Sequence, residues 1–479
     1  MKKLILIKTL LIIILVLPAC GTNGADVERA YEVCPIYETY NEYKSHETYE
    51  QQELHSEPYP EQVPEQSEEP VALTPLAIEA LHLVELVEAV HPIFIIEGML
   101  PDNYEAIRDE FLSYTVGPIG IIEFAFAIQR FFTVLQDGHM ANRINMTGSF
   151  LNVSWIANSD GLFLVDGMYT VAEVIYIGGV PVPDVFAQVD RHYFAENEAD
   201  RLWLHALHSR DRIILSMAGA EVGAQVELTL LCNNGEQQSK AVNFSSMTAT
   251  EGGGYTWQPE YIIRYEVIDG IFYISLREFR FHQPYHNQTV EAIKRAVAGG
   301  ARKFIVDLRG NPGGNSVVGQ ELLEAMGITV PSHGAYRRIS DLALAQRPWL
   351  QYFAGEDWIF HAPNSETASN PNDVFVMTLT DALTYSSATM FGTWVQDGGF
   401  GAIMGQPSRN SPSMFGDMLN YRLPISGFNI SISHTRFLRP DPYANQYVLY
   451  PDFFAHCGTD INVDAVLAFA VEILNDMPE

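Results

Sequence analysis

The run Phe304-Ile305-Val306-Asp307-Leu308-Arg309-Gly310-Asn311-Pro312-Gly313-Gly314-Asn315 constrains this chain more than any other stretch. An apolar strand enters a glycine-rich turn, and the turn opens a helix. That order belongs to α/β architectures, in which helices pack on a sheet. Glycines let backbone approach a ligand closely. A phosphate loop needs Gly-Lys-Ser/Thr, which is missing, and Arg309 is the one basic residue here. The amides of Gly313 and Gly314 suit an oxyanion instead.

The surrounding chain alternates in the same way. Strands are expected at 271–276, 303–308, 374–379 and 402–404, with helices at 289–298, 316–326 and 386–396. Residues 251–479 therefore form an α/β core. Upstream, Leu76, Ile78, Leu81, Leu83, Leu86, Val87 and Val90 recur at helical spacing, and further helices are expected at 102–114 and 120–135. This helical layer, 73–145, ends at Gln136-Asp137-Gly138-His139. Between the two, residues 146–250 read as β-rich with a helical insert near 194–209. The segment is either a degenerate peptide-binding module of the PDZ kind or a plain β-subdomain.

The N-terminus is a targeting segment. Lys2 and Lys3 precede an apolar run at 10–17 that is too short to span a bilayer. Leu17-Pro18-Ala19-Cys20 then resembles the lipobox of bacterial lipoproteins. The resemblance implies a signal peptide at 1–20, a diacylglyceryl group on Cys20, and an anchor on the extracytoplasmic face of the cell membrane. Residues 21–72 carry 13 acids against two bases, with few aliphatic side chains. Such a stretch buries too little apolar surface to offset chain entropy and reads as an extended tether. The net charge of −31 argues against nucleic acid, because phosphate binding needs clustered Lys and Arg. Cys34, Cys232 and Cys457 are far apart and form no zinc motif; neither HExxH nor a compact His/Asp/Glu cluster occurs, so neither metal nor cofactor is expected.

Ser386 stands where an apolar stretch turns into a helix. A serine there can simply cap the helix. It can also act as a nucleophile, since first-turn N–H groups lack partners and favour a developing negative charge.

Asp307 to Gly314, followed by Thr384-Tyr385-Ser386-Ser387-Ala388, then Gly398 to Gly405 with Pro407, and Tyr450-Pro451-Asp452, resembles the carboxy-terminal processing (tail-specific) protease family. The resemblance implies a crotonase-like (ClpP/crotonase) catalytic core and a serine-type peptidase acting on a peptide or polypeptide. Ser386 is then the nucleophile. The amide of Ser387 and one glycine amide, from Gly313 or Gly314, hold the oxyanion.

Better-known members use a lysine base after the serine. No lysine follows Lys303 here, and Arg409 in the corresponding stretch stays protonated. The branch typified by the tricorn protease core uses histidine in a motif like Leu-x-Asp-x-His, which Leu135 to His139 matches. His139 takes the base role by that resemblance, and imidazole suits proton transfer near neutral pH. The branch's carboxylate near the C-terminus has no counterpart in Tyr443 to Val448; Asn445, Gln446, Asp441 and Asp452 are the candidates for orienting the ring. Two other readings use the same residues: a lipid-anchored binding protein that keeps the fold without turnover, and an esterase.

Overall fold

The computed structural model describes residues 73–143, 148–166, 169–232, 234–247, 259–455 and 464–478. The signal segment, Cys20, the tether, Cys34 and Cys457 lie outside them. No helix among the described residues is long and apolar enough to cross a membrane.

A six-stranded sheet carries the glycine-rich turn. Its order is Phe453–Phe454, Gly401–Gly405, Phe375–Thr380, Lys303–Asp307, Ile271–Leu276 and Ile263–Ile268. All neighbours are parallel except the last pair, which is antiparallel. Parallel strands are covered on both faces, so they read as continuous apolar runs rather than alternating ones. Ile271–Leu276 is buried at every position. Phe304 and Val306 face the helices Tyr285–Ala298, Val317–Ala325 and Ser387–Asp397, whereas Ile305 faces Ala465–Asp476 on the other side. The expected strands and helices of this region are found within a few residues of their anticipated ends.

A second sheet joins the two ends of the chain. The strand Ala141–Arg143, directly after His139, pairs antiparallel with Asn429–Leu438, with Ala141 opposite Ser431. Asn429–Leu438 also pairs with Phe415–Arg422 and Gly334–Arg338. The helices Pro75–Val90, Tyr104–Val116 and Ile121–Thr133 pack on this sheet, so Leu83, Phe124 and Phe131 share a core with Leu419, Ile430 and Ile432. Pro75–Val90 starts cleanly because Thr74 Oγ1 accepts the Ala77 N–H at 3.1 Å and Pro75 has no N–H to leave unpaired.

Residues 148–247 form a seven-stranded antiparallel sheet with three helices, Val182–His192, Glu198–His208 and Arg212–Met217. The sequence pointed to one helical insert; the first and third helices are additional. Gly178 and Gly179, both at positive φ, turn the chain, and Val182 then opens a helix. Pro183 in its first turn reads locally as a turn signal, although that is where a helix tolerates proline. Val182, Val185 and Val189 then seal the helix to the sheet.

Candidate active site

Two loops from neighbouring strands of the six-stranded sheet are laced together. The N–H of Gly310 donates to both carboxylate oxygens of Asp381, at 3.0 Å each. Thr384 Oγ1 donates to the Leu308 carbonyl at 3.0 Å, and the Tyr385 N–H donates to the Asn311 carbonyl at 3.0 Å. Asp307, at the end of its strand, is buried and accepts from Tyr273, Arg277 and Arg309. Burial alone would raise its pKa, but the Arg309 hydrogen bond and the two guanidinium charges outweigh burial and hold it below the usual range. Arg309 is thereby committed to Asp307 and Asp464, and its role is to fix the turn.

The lacing brings Ser386 against Gly313. A Cβ on Gly313 would lie 2.7 Å from the Ser386 Cβ and 2.8 Å from the Ser387 nitrogen, so only glycine allows this approach. The Gly313 N–H itself donates to Asn311 Oδ1 at 2.8 Å. Gly314 is placed differently. Phe279 N–H donates to the Gly313 carbonyl, and Asn315 N–H donates to the Phe279 carbonyl. Gly314's own carbonyl turns toward the start of the helix that follows Ser386. There the Gly314 carbonyl accepts from Ser387 Oγ at 2.6 Å. Ser387 opens the helix Ser387–Asp397, and its first-turn N–H lies beyond the reach of an intrahelical carbonyl.

Ser386 has φ 54° and ψ −122°, a conformation rarely adopted by a residue with a side chain. Strain of this kind costs about 1–3 kcal/mol and persists only where the surroundings enforce it. Here the Ser386 N–H donates to Asn410 Oδ1 at 2.8 Å, and its carbonyl accepts from the Met390 N–H at 3.0 Å. The residue stands at the helix N-cap, yet its hydroxyl makes no capping bond. The capping role open to it in the sequence is therefore unused.

His139 enters from the other end of the chain. The turn before it is fixed by Asp137, whose Oδ1 accepts the His139 backbone N–H at 2.8 Å and whose Oδ2 lies 3.2 Å from His91 Nε2. His91 Nδ1 accepts from the Ile93 N–H, which leaves Nε2 as the protonated atom facing Asp137. The His139 ring packs on Tyr385, with centroids 4.8 Å apart. Both of its ring nitrogens are buried, and neither makes a hydrogen bond to any of the described residues, Ser386 included.

A carboxylate that the sequence did not single out faces this ring. Glu196 Oε1 lies 3.7 Å from His139 Nδ1 and 3.3 Å from the Tyr385 hydroxyl. Its Oε2 accepts from Asn410 Nδ2 at 2.6 Å and from the Ser411 N–H at 2.9 Å. Gly138 completes the fit: a Cβ there would lie 2.7 Å from the Tyr385 oxygen and 2.8 Å from Glu196 Oε1. Glycine at this position has a steric reason. Among the described residues, Asp137, His139 and Glu196 also present oxygen and nitrogen atoms close enough together to clasp a metal ion, all within 4.8 Å.

The four candidates near the C-terminus have other partners. Asn445 Oδ1 accepts from the Tyr447 and Val448 N–H groups, and Gln446 binds Ser413 Oγ. Asp441 Oδ1 accepts from the Tyr443 N–H, and Asp452 Oδ2 from the Ile403 N–H. Arg409 is clasped by Trp203 and Tyr385, with its guanidinium 3.7 Å and 4.3 Å from their ring centroids, and pairs with Asp200 at 3.3 Å. A cleft of about 200 Å³ opens beside it, walled by Phe132, Phe194, Trp203 and Leu204, with Asp137 and Asp200 among its polar groups.

Residues 270–444 match the family model of Peptidase family S41. The match takes in Gly313, Gly314, Ser386 and Asn410; His139 and Glu196 lie before it. Mature CPAF is similar in structure, with a TM-score of 0.61 at 14% identity, over 85% of this chain and 99% of that one. Mature CPAF complexed with lactacystin gives 0.60 at 13% identity, over 84% and 98%. Among curated protein sequences none matches this chain.

Proposed function

We propose, from the membership of this chain in the tail-specific protease family S41, that it hydrolyses peptide bonds through an acyl-enzyme on Ser386 with His139 as general base. The observation that carries this reading is the strained Ser386, uncapped, held against Gly313 and next to the ring-on-ring contact of Tyr385 with His139. His139 takes the Ser386 proton as Oγ attacks the substrate carbonyl. The N–H groups of Ser387 and Gly314 hold the oxyanion; Gly313 contributes its shape, since its own N–H serves Asn311. His139 then protonates the leaving amine, and water, deprotonated by the same ring, releases the acyl group. Catalytic hydrogen bonds are often long before substrate binds, which accounts for the open Ser386–His139 geometry.

The six-stranded, mostly parallel sheet with helices on both faces supports a crotonase-like core. The lipobox-like Leu17 to Cys20 supports a lipid anchor on the extracytoplasmic face, with the acidic stretch 21–72 as its tether. The rival reading, a peptide-binding protein without turnover, has one observation in its favour, the unformed Ser386–His139 bond. Labelling of the purified chain with a fluorophosphonate separates them. Reaction at Ser386 that is lost in Ser386→Ala and His139→Ala supports the peptidase; a folded chain that stays unlabelled and binds peptide intact supports the rival.

A further inference from the structure

We infer that Glu196 is the positioning carboxylate of His139, so that a turn of the middle segment completes the catalytic site. The inference rests on the Ser386–His139 reading above. A histidine base needs an acceptor on the nitrogen that does not face the serine, both to fix its tautomer and to stabilise the imidazolium. In this chain Nδ1 is the nitrogen that faces carboxylates, at 3.7 Å from Glu196 and 3.8 Å from Asp137.

The two acids are not equivalent. Asp137 spends one oxygen on the His139 backbone N–H and the other on His91. Glu196 has one oxygen anchored twice, by Asn410 and Ser411, and among the described residues its other oxygen accepts only the long 3.3 Å contact from Tyr385. The anchored oxygen acts as a pivot. A movement of under ~1 Å brings Oε1 to hydrogen-bonding distance of Nδ1. The gain is considerable, because a buried ring nitrogen without a partner is costly to leave so.

The surroundings suit this role. The Glu196 side chain is 6% exposed, which keeps water from screening it. The Tyr385 phenol beside it is held neutral by burial and by Glu196 itself. Around the pair stand Asp137, Asp200 and the cations Arg409 and Arg436; the last feels both Glu196 and Asp137. The turn bearing Glu196 is clamped to the core: Asn197 caps the following helix through Asp200 N–H and donates to the carbonyls of Ser408 and Tyr447. Asn410 binds both Glu196 and the Ser386 backbone, so acid and nucleophile are positioned by one side chain.

The test compares the full chain with Glu196→Gln and Glu196→Asp, following peptide hydrolysis and fluorophosphonate labelling across pH, with Ser386→Ala and His139→Ala as controls. In Glu196→Gln an amide nitrogen can face Nδ1 and favour the wrong tautomer. Turnover is expected to fall at least about 10²-fold, and the acid limb of the profile to move to lower pH as the imidazolium loses its counter-charge. Glu196→Asp keeps the charge on a shorter arm and is expected to fall between wild type and Glu196→Gln. A Glu196→Gln enzyme at wild-type rate, or one slowed with its acid limb unmoved, overturns the role of Glu196 while Ser386 and His139 stand. If Glu196→Gln does not fold, Glu196→Asp decides: a rate equal to wild type, or as low as His139→Ala, overturns it. A folded wild type that does not label overturns the Ser386–His139 reading and this inference with it.

Discussion

The Asn410 side-chain oxygen accepts the Ser386 backbone N–H at 2.8 Å, at the residue whose φ of 54° most needs external support. The same side chain donates its nitrogen to Glu196. Asn410→Ala is expected to lose about 1–3 kcal/mol of stability, the cost of an unsatisfied buried group, and to slow Ser386 labelling by tenfold or more. Asn410→Asp is expected to be worse than alanine, because it sets two carboxylates against each other in a buried site. Thermal melts and labelling rates of the two variants check the order.

Gly313 and Gly138 are both packed against the site, for different reasons. At Gly313 the φ of +94° and the Ser386 Cβ both oppose a side chain. Gly313→Ala is expected to abolish labelling. At Gly138 the obstacles are the ends of Tyr385 and Glu196, which can shift. Gly138→Ala is expected to fold, with a stability loss of about 1–3 kcal/mol and a lowered kcat rather than none.

Burial pushes the Asp200 carboxyl up to about 7, against the pull of Arg409 and with the push of Glu196. A folded-state pKa above the unfolded one means that the native protein holds the proton more tightly. The contribution is fully present below pH ~4 and is lost as pH rises through 7. Asp200→Asn removes this dependence. Urea unfolding of the variant is expected to show a smaller fall in stability between pH 4 and 7 than wild type, by an amount on the order of a few kcal/mol.

Arg439 closes a buried ion pair with Asp397 at the end of the helix that Ser387 begins, at 2.7 Å with both side chains nearly inaccessible. Arg439→Met leaves the buried Asp397 carboxylate without its counter-ion and with the Asp441 N–H still donating to it, and the expected loss is about 3–5 kcal/mol. Asp397→Asn combined with Arg439→Met is expected to recover part of that loss. A double-mutant cycle by denaturant melts reads the coupling.

Much of the core could be read from residue order. The strand, glycine turn and helix around Asp307 announce themselves because parallel strands are uniformly apolar and because glycine marks close backbone approach. Ser386 was visible for the same reason. Glu196 was not. It sits in Ala195-Glu196-Asn197-Glu198, which has no spacing or composition to separate it from the many other acids of this chain. The only hint was negative: the absence of a carboxylate near Tyr443 to Val448. The hairpin Phe415–Arg422 with Asn429–Leu438 also went unread. Phe428, Ile430 and Ile432 alternate with Asn429, Ser431 and Ser433, a pattern that points to a strand with one face in water, whereas residues 430–435 are buried on both faces. Ser431 and His434 find their partners, Asn420 Oδ1 and Asp417 Oδ2, only once the structure is assembled.

The pairing of Ala141–Arg143 with Asn429–Leu438 has a consequence in time as well as in space. The histidine is made early in synthesis, and the strand that docks its turn is made late. On the Ser386–His139 reading proposed above, a growing chain holds the histidine before the serine, and the strand that docks the histidine's turn, have been made. Long-range pairing of this sort is slow to form. Activity would arrive as a late, single event, when the hairpin closes on the first strand.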